Sequence, residues 1–189
     1  MSDPTLESTR RRLTARQADT VDRLGRAAVE LLAREGFAGL TVRRVAARAG
    51  VGAATAYTYF SSKEHLVAEV FWRRLASSPH TAHGSDDPPA RVIEVMGHIW
   101  TLVADEPEFA GAVTTALLGK DPDVEVLRQR IGRDIRERLS AALGPDTDPE
   151  VIDALEMLYS GALVRAGMGY ASYEEITGKL ERSARLILG

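Results

Sequence analysis

The fold of this chain is decided by residues 40–63, which read LTVRRVAARAGVGAATAYTYFSSK. Apolar residues recur at helical spacing before Gly50, and a second short helical run begins at Ala53. Thr41 offers a hydroxyl that can cap the first of these helices, while Gly50 permits the left-handed turn that ends it. Because the many alanines allow close packing, the stretch predicts two short helices joined by a tight turn.

Helical periodicity extends outward from this stretch in both directions. A preceding helix is predicted for roughly residues 17–35, where Gly36 supplies the stop. A following helix reaches about Ser77, with Ser61 and Glu64 at the spacing of a capping box. Beyond a loop rich in proline, further helix-start signals occur at Pro107, Asp121–Pro122, Asp148–Pro149 and Ser172–Glu175. No alternating pattern of useful length indicates a strand, so we predict an all-α fold with about nine helices.

The composition is that of a globular protein, since 44% of the 189 residues are hydrophobic and the formal net charge is −3. The absence of cysteine excludes disulfides, zinc–thiolate sites and iron–sulfur clusters. No apolar run approaches the roughly 18 residues that a membrane-spanning helix requires, and no signal-peptide pattern follows the N-terminal arginines. We therefore expect a cytoplasmic protein that does not enter a membrane.

Charge is distributed unevenly along the chain. Residues 1–63 contain eleven basic and six acidic side chains, an excess of five positive charges, so the remainder carries an excess of eight negative charges. Residues 1–16 hold four arginines without apolar periodicity and are predicted to form a flexible basic arm. The electropositive N-terminal third therefore predicts that this end of the chain binds a polyanion.

The second short helix of the 40–63 stretch carries side chains suited to contact DNA. It presents hydroxyl groups and aromatic rings at Thr55, Tyr57, Thr58 and Tyr59. These groups can reach base edges, thymine methyl groups and phosphate oxygens in a major groove. Backbone amides at the helix N-termini near Thr41, Ala53 and Lys63 can point toward phosphates. The pattern predicts a helix-turn-helix that reads double-stranded DNA.

Several motifs within residues 40–71 together resemble the DNA-binding domain of the TetR family of transcriptional regulators. They are Leu40-Thr41-Val42-Arg43, Ala49-Gly50-Val51, Tyr57-Thr58-Tyr59-Phe60 and Ser62-Lys63-Glu64-His65-Leu66. The resemblance covers about the first 75 residues, and the remainder matches only in length and helical texture. It implies a homodimer that binds a palindromic operator, usually represses transcription, and releases DNA when a small-molecule effector enters the C-terminal domain.

The same resemblance implies roles for individual residues. Phosphate contacts are implied for Thr41, Tyr57, Tyr59 and Lys63. Base contacts are implied for Ala53, Ala54, Thr55 and Thr58, with Arg43 and Arg44 near the edge of the groove. Two positions depart from the family pattern: Gly52 stands where a serine often caps the recognition helix, and Ala56 replaces a common leucine. Because few side chains here can make bidentate base contacts, specificity is expected to depend on Thr55, Thr58 and DNA shape.

We expect the flexible basic arm over residues 1–16, a TetR-type helix-turn-helix DNA-binding domain over residues 17–75, and a ligand-binding and dimerisation domain over residues 88–189. The last two predicted helices carry small residues that permit close contact with a second copy, at Gly161, Ala162, Ala166, Gly167 and Gly169. A homodimer through these helices is expected because two recognition helices must enter successive major grooves about 34–36 Å apart.

Bulky side chains of the C-terminal domain are candidates for lining an effector pocket. They are Met96, Trp100, Phe109, Met157 and Tyr159. Plain core packing predicts the same residues. Arg165 lies in an otherwise uncharged stretch, so its guanidinium is expected to meet either an acid across the dimer interface or an anionic group of a ligand.

Catalysis and metal binding find little support in the sequence. We find no nucleophile beside a base, no paired acids and no zinc-binding His-Glu helix, and we therefore expect no enzyme. His80, His83, Asp86 and Asp87 are more typical of a solvated loop than of a metal site, and no cofactor is expected. The alternative function is a constitutive dimeric DNA-binding protein without an effector pocket.

Overall fold

The structure is a computed structural model that describes residues 14–80, 85–170 and 173–189. Within those ranges it contains nine α-helices and no strand, which confirms the predicted fold class. The helices are α1 (Ala15–Gly39), α2 (Val42–Ala49), α3 (Ala53–Tyr59), α4 (Lys63–Ser77), α5 (Pro88–Ala104), α6 (Pro107–Leu118), α7 (Pro122–Leu143), α8 (Pro149–Gly167) and α9 (Tyr173–Leu188). None of these helices is both long enough and apolar enough to cross a membrane.

The helices form two compact units. The first contains α1 to α4, α6 and the start of α7, within residues 14–77 and 106–129. The second contains α5, the rest of α7, α8 and α9, within residues 78–80, 85–105, 130–170 and 173–189. The sequence placed residues 106–129 in the C-terminal domain, but α6 packs against α1 and α4 through an apolar buried face. That face consists of Phe109, Ala110, Ala112, Val113 and Ala116.

Helix α1 begins two residues earlier than predicted. Thr14 and Gln17 form a capping box, in which each side chain accepts a hydrogen bond from the backbone amide of the other residue. Ala15 and Arg16, assigned above to the basic arm, are therefore helical, and residues 1–13 lie outside the described ranges. The predicted stop is present at Gly36, whose φ of 65° interrupts the helix before a last turn ends at Gly39.

Helices α2 and α3 pack through small and apolar residues around a glycine turn. Their fully buried side chains are Val45, Ala46, Ala56 and the adjoining Phe60. The Thr41 hydroxyl caps α2 by accepting from the amide of Arg44 at 3.2 Å, as predicted. Gly50 ends the helix with φ 65° and ψ 35°, and its amide donates to the carbonyl of Ala47 at 3.2 Å.

Helix α1 also stabilises this turn. The guanidinium of Arg23 donates to the carbonyl oxygens of Ala49 at 2.5 Å and Gly50 at 3.3 Å. The last carbonyls of a helix lack amide partners and carry the negative end of the helix dipole, so a cation there is favourable. Arg23 therefore fixes the end of α2 against α1.

The predicted helix starts at Pro107, Asp121–Pro122 and Asp148–Pro149 are confirmed, whereas the capping residue predicted for α4 is wrong. Asp121 accepts from the amides of Asp123 and Val124, and Asp148 accepts from the amide of Glu150. The cap of α4 is Ser62 rather than Ser61, since the amide of His65 donates to Ser62 Oγ at 2.9 Å. Ser61 instead donates to Asp123 Oδ2 at 2.5 Å, a contact that local sequence spacing does not encode. The predicted start at Ser172 lies outside the described residues.

The second unit contains a buried ion pair. Arg138 of α7 donates to Asp134 at 2.5 Å and to the carbonyl oxygens of Pro79 at 2.5 Å and Ser78 at 3.3 Å. Asp134 also lies 3.0 Å from Nε2 of His80. Because a buried charge is tolerated only when it is paired and hydrogen-bonded, this cluster fixes residues 78–80 against α7.

We expect Gly50→Ala to lower the free energy of unfolding by about 1–2 kcal/mol, because a φ of 65° is unfavourable for a residue with a Cβ atom. The added Cβ would also lie 3.3 Å from Nη2 of Arg23. Gly52→Ala is the matched control, since its φ of −62° suits any residue and the nearest atom, Thr55 Oγ1, would be 3.7 Å away. Urea unfolding at one protein concentration measures both variants, and equal losses would contradict the role of Gly50.

Candidate nucleic-acid interface

Helix α3 exposes the residues that the sequence assigned to DNA. Ala54, Thr55, Tyr57 and Thr58 are exposed, and Ala53 and Tyr59 are half-buried. Ala56 and Phe60 are buried and lie about one helical turn apart, so they anchor one side of α3. The structure thus brings the predicted contact residues of α3 together on the outward side of a short anchored helix.

The two tyrosines of α3 differ in their surroundings. Tyr57 is 50% exposed, and its hydroxyl has no hydrogen-bond partner in the part of the chain that the structure describes. The ring of Tyr59 lies 6.5 Å from that of Phe60, so this residue combines packing with a partly exposed edge. The hydroxyl of Tyr57 is therefore open to a phosphate oxygen.

The start of α3 has no side-chain cap, as the replacement of the family's usual serine by Gly52 predicts. Thr58 Oγ1 donates to the carbonyl of Ala54 at 3.1 Å within the helix. That bond uses the hydroxyl proton of Thr58 but leaves its oxygen lone pairs and its methyl group available to a base edge.

Two of the three arginines of α2 form ion pairs with acids of α1, and the third does not. Arg44 forms an ion pair with Glu35 and donates to the carbonyl of Gly39 at 2.9 Å. Arg48 forms an ion pair with Glu30. Arg43 is exposed and makes no hydrogen bond or ion pair with any described residue. Of the two arginines predicted at the groove edge, Arg43 therefore has the unengaged guanidinium.

Lys63, to which the resemblance gave a phosphate contact, binds the end of α1. Its Nζ donates to the carbonyl of Phe37 at 2.8 Å and lies 4.2 Å from the centroid of the Phe37 ring. An ammonium group has three N–H donors, so the carbonyl leaves two of them for other acceptors. Lys63 thereby connects the start of α4 to α1 while part of its surface stays exposed.

The effector-pocket candidates are divided between the two units. Trp100 and Tyr159 of the second unit are buried with their rings edge to face, 6.4 Å between centroids, and Met96 of α5 is buried as well. Phe109 belongs to the first unit, where the guanidinium of Arg74 lies 4.4 Å from its ring centroid. Met157 does not line an interior, since it is 70% exposed. It is two residues from both Leu155 and Tyr159, whose buried positions place it on the opposite side of α8.

Arg165 is exposed on α8, and its guanidinium lies 5.8 Å from the centroid of the Tyr170 ring.

Among the described residues no three His, Cys, Asp or Glu side chains are arranged to hold a metal ion. His80 is instead next to Asp134, while His83 lies outside the described ranges.

Sequence reasoning missed three residues that shape this surface: Arg23, Glu30 and Glu35. Arg23 is 26 residues from the carbonyl of Ala49 that it binds. The acids of α1 meet their arginines only because α1 and α2 pack together. No local pattern signals such contacts, because the partners are far apart in the sequence.

A short exposed helix that follows a glycine turn, with the unengaged guanidinium of Arg43 on the preceding helix, is the arrangement of a helix-turn-helix DNA-binding protein. The model of the family described as bacterial regulatory proteins, tetR family, matches residues 24–70. A protein of Mycobacterium tuberculosis described as an HTH-type transcriptional regulator is 46% identical over 175 residues, which cover 92% of this chain and 82% of that protein. The chain belongs to the TetR family of transcriptional regulators.

More distant relatives and solved structures agree with this assignment. The HTH-type transcriptional repressor KstR of Rhodococcus jostii is 26% identical over 171 residues, which cover 86% of this chain and 80% of KstR. A TetR transcriptional regulator from Rhodococcus sp. RHA1 has the same fold, with a TM-score of 0.75 and 22% identity over 92% of this chain and 97% of that one. Thermus thermophilus FadR, solved with lauroyl-CoA, gives a TM-score of 0.59 and 23% identity over 89% and 93% of the two chains.

We expect Arg43→Ala to weaken binding to any DNA duplex and to reduce the slope of log affinity against log salt concentration by about 0.9, the contribution of one phosphate contact. Arg44→Ala is the comparison, because Glu35 and Gly39 hold that guanidinium, and its slope is expected to stay near the wild-type value. Fluorescence anisotropy titrations across a salt series measure both. A wild-type slope for Arg43→Ala would show that Arg43 does not contact phosphate.

Proposed function

We propose that the protein is a homodimeric repressor that binds a palindromic DNA operator and releases it when a small molecule binds the C-terminal helices. The observation that carries this proposal is the outward side of α3, where Thr55, Tyr57 and Thr58 stand on a helix anchored by Ala56 and Phe60. A helix of this kind fits the major groove, and its hydroxyl, methyl and ring groups suit both base edges and phosphates.

Within this interface we assign residues by their chemistry and by family resemblance. Phosphate contacts go to Thr41, Tyr57, Tyr59 and Lys63, and base contacts go to Ala53, Ala54, Thr55 and Thr58. Arg43 is assigned to the edge of the groove ahead of Arg44, because only its guanidinium is unengaged by the described residues. A regulator that binds chromosomal DNA in this way acts in the cytoplasm.

The repressor activity and its relief by a ligand are supported by relatives. KstR of Rhodococcus jostii is a repressor, and the FadR structure from Thermus thermophilus holds lauroyl-CoA. In this chain we assign the effector to the second unit, near the packed rings of Trp100 and Tyr159 and beside Met96. The effector must bind the DNA-free state more tightly than the DNA-bound state, because only differential affinity shifts the equilibrium.

The dimer surface is assigned to α8 and α9. Met157, Gly161 and Arg165 are all exposed and recur every four residues, so they form one outward stripe along α8. On α9, Leu186 is 85% exposed. Large apolar side chains left exposed on neighbouring helices are typical of a protein–protein interface. We assign Arg165 to this surface rather than to the effector, since it shares the stripe with Met157.

The proposed operator binding and its release by an effector can be tested with a DNA duplex. This operator duplex is selected from a random pool of sequences by its binding to the purified wild-type protein. We expect tight binding to this duplex, and we expect an effector found by a thermal-shift screen, with lauroyl-CoA among the compounds, to release it. The physical reason is that the ligand stabilises the state that does not bind DNA. If every compound that stabilises the protein leaves operator binding unchanged, the constitutive alternative replaces the proposal.

We expect Gly161→Arg to convert the dimer into a monomer without unfolding the chain. Gly161 is exposed and an added Cβ atom meets no atom within 4 Å, so the longer side chain can extend into solvent in a single chain but would collide with a partner chain packed on this surface. Gly132→Arg is the matched control, since Gly132 is also exposed on a helix with no atom within 4 Å of an added Cβ. Sedimentation velocity measures both variants. A Gly161→Arg protein that remains dimeric at the wild-type concentration range would place the interface elsewhere.

A further inference from the structure

The proposed DNA interface contains two carboxylates that DNA binding does not explain. Glu35 and Glu30 of α1 each neutralise an arginine of α2, the helix that precedes the recognition helix. Positive charge that meets phosphates drives DNA binding, so acids beside such a surface oppose it. We propose that Glu35 and Glu30 limit the affinity of this protein for DNA of any sequence by holding the guanidinium groups of Arg44 and Arg48. The inference rests on the proposed DNA-binding function.

Arg44 and Glu35 form a bidentate ion pair. Nη2 of Arg44 donates to Oε1 of Glu35 at 2.6 Å, and Nη1 contacts the second carboxylate oxygen. Nη1 also donates to the carbonyl of Gly39 at 2.9 Å. Two parallel contacts to one carboxylate are the same fork that arginine offers to a phosphate, so Glu35 occupies the donors that DNA would use.

The pair between Arg48 and Glu30 repeats the arrangement one turn further along α2. It consists of one contact, between Nη2 of Arg48 and Oε2 of Glu30, and about half of each side chain is exposed. Arg44 and Arg48 are four residues apart and therefore lie on the same side of α2, toward α1. Arg43 is offset from Arg44 by about 100° around the helix and forms no ion pair with either acid.

Each of these ion pairs contributes less free energy to folding than its arginine would contribute to DNA binding by contacting a phosphate. Partly exposed ion pairs contribute little to folding stability, so the acids are not needed to hold α1 and α2 together. A released arginine adds about 0.9 to the salt slope, which corresponds to about fivefold in affinity at roughly 0.15 M salt. Since phosphates are the same in every sequence, the gain applies equally to operator and random DNA and leaves discrimination to α3.

The experiment compares Glu35→Gln with wild type on the selected operator and on a random duplex of equal length. We expect affinity to rise about fivefold on both duplexes at roughly 0.15 M salt, with a slope steeper by about 0.9. Glu30→Gln tests the second pair in the same way. If circular dichroism shows that Glu35→Gln has a lower melting temperature than wild type, the result for Glu30→Gln alone is used to judge the inference.

Two controls separate release of an arginine from a general change in charge. Asp19→Asn removes one negative charge from the same helix, about 24 Å along the axis from Glu35 and well beyond the Debye length of about 8 Å at this salt concentration. It is expected to bind as wild type does. Glu35→Gln combined with Arg44→Ala is expected to lose the whole gain, because the released guanidinium is then absent.

The outcomes distinguish this inference from the function on which it rests. Wild-type affinity and slope for both Glu35→Gln and Glu30→Gln overturn the inference and leave the proposed function intact. A gain that persists without Arg44, or that Asp19→Asn reproduces, also overturns it, because the effect is then long-range electrostatics. Failure of the wild-type protein to bind either duplex refutes the proposed function itself and removes the basis of the inference.

Discussion

The contact between the guanidinium of Arg23 and the end of α2 is the interaction on which the DNA-binding face depends. Helices α2 and α3 have eight and seven residues, and isolated helices of that length are unstable in water. They exist because they pack on each other and on α1, with the chain reversing at Gly50. Arg23 binds the two carbonyls at that reversal, so it fixes the orientation from which α3 projects its side chains.

Fewer cationic side chains are free to contact DNA than the composition suggests. Residues 1–63 carry eleven basic side chains, yet Arg44 and Arg48 already form ion pairs with acids, and Arg23 already donates to carbonyl oxygens. Counting charges along a sequence treats every arginine as equivalent. The packing of α1 against α2 makes them different, since it decides which guanidinium groups already have acceptors.

Features set by neighbouring residues were predictable from the sequence. Helix caps at Asp121 and Asp148, the left-handed glycines at positions 36 and 50, and the apolar spacing of each helix depend on contacts within a few residues. These signals were sufficient for the all-α fold and for the exposed side of α3, because burial of Ala56 and Phe60 follows from helical periodicity.

Features set by tertiary contacts were not predictable in the same way. The cap of α4 moved from Ser61 to Ser62 because Ser61 binds Asp123, which is 62 residues away. Residues 106–129 lie in the same unit as the N-terminal helices because the apolar face of α6 packs against α1 and α4. The side of α8 that carries Met157 was ambiguous because that helix is apolar nearly all round, so periodicity alone does not choose the buried side.

The backbone angle at Gly36 also determines where Lys63 is held. Its φ of 65° ends the regular part of α1 and presents both the carbonyl and the ring of Phe37 to the ammonium group. A change at any one of these three positions therefore alters the surroundings of the other two. As related sequences diverge, positions 36, 37 and 63 are expected to covary, with lysine at 63 retained mainly where glycine and an aromatic residue persist together.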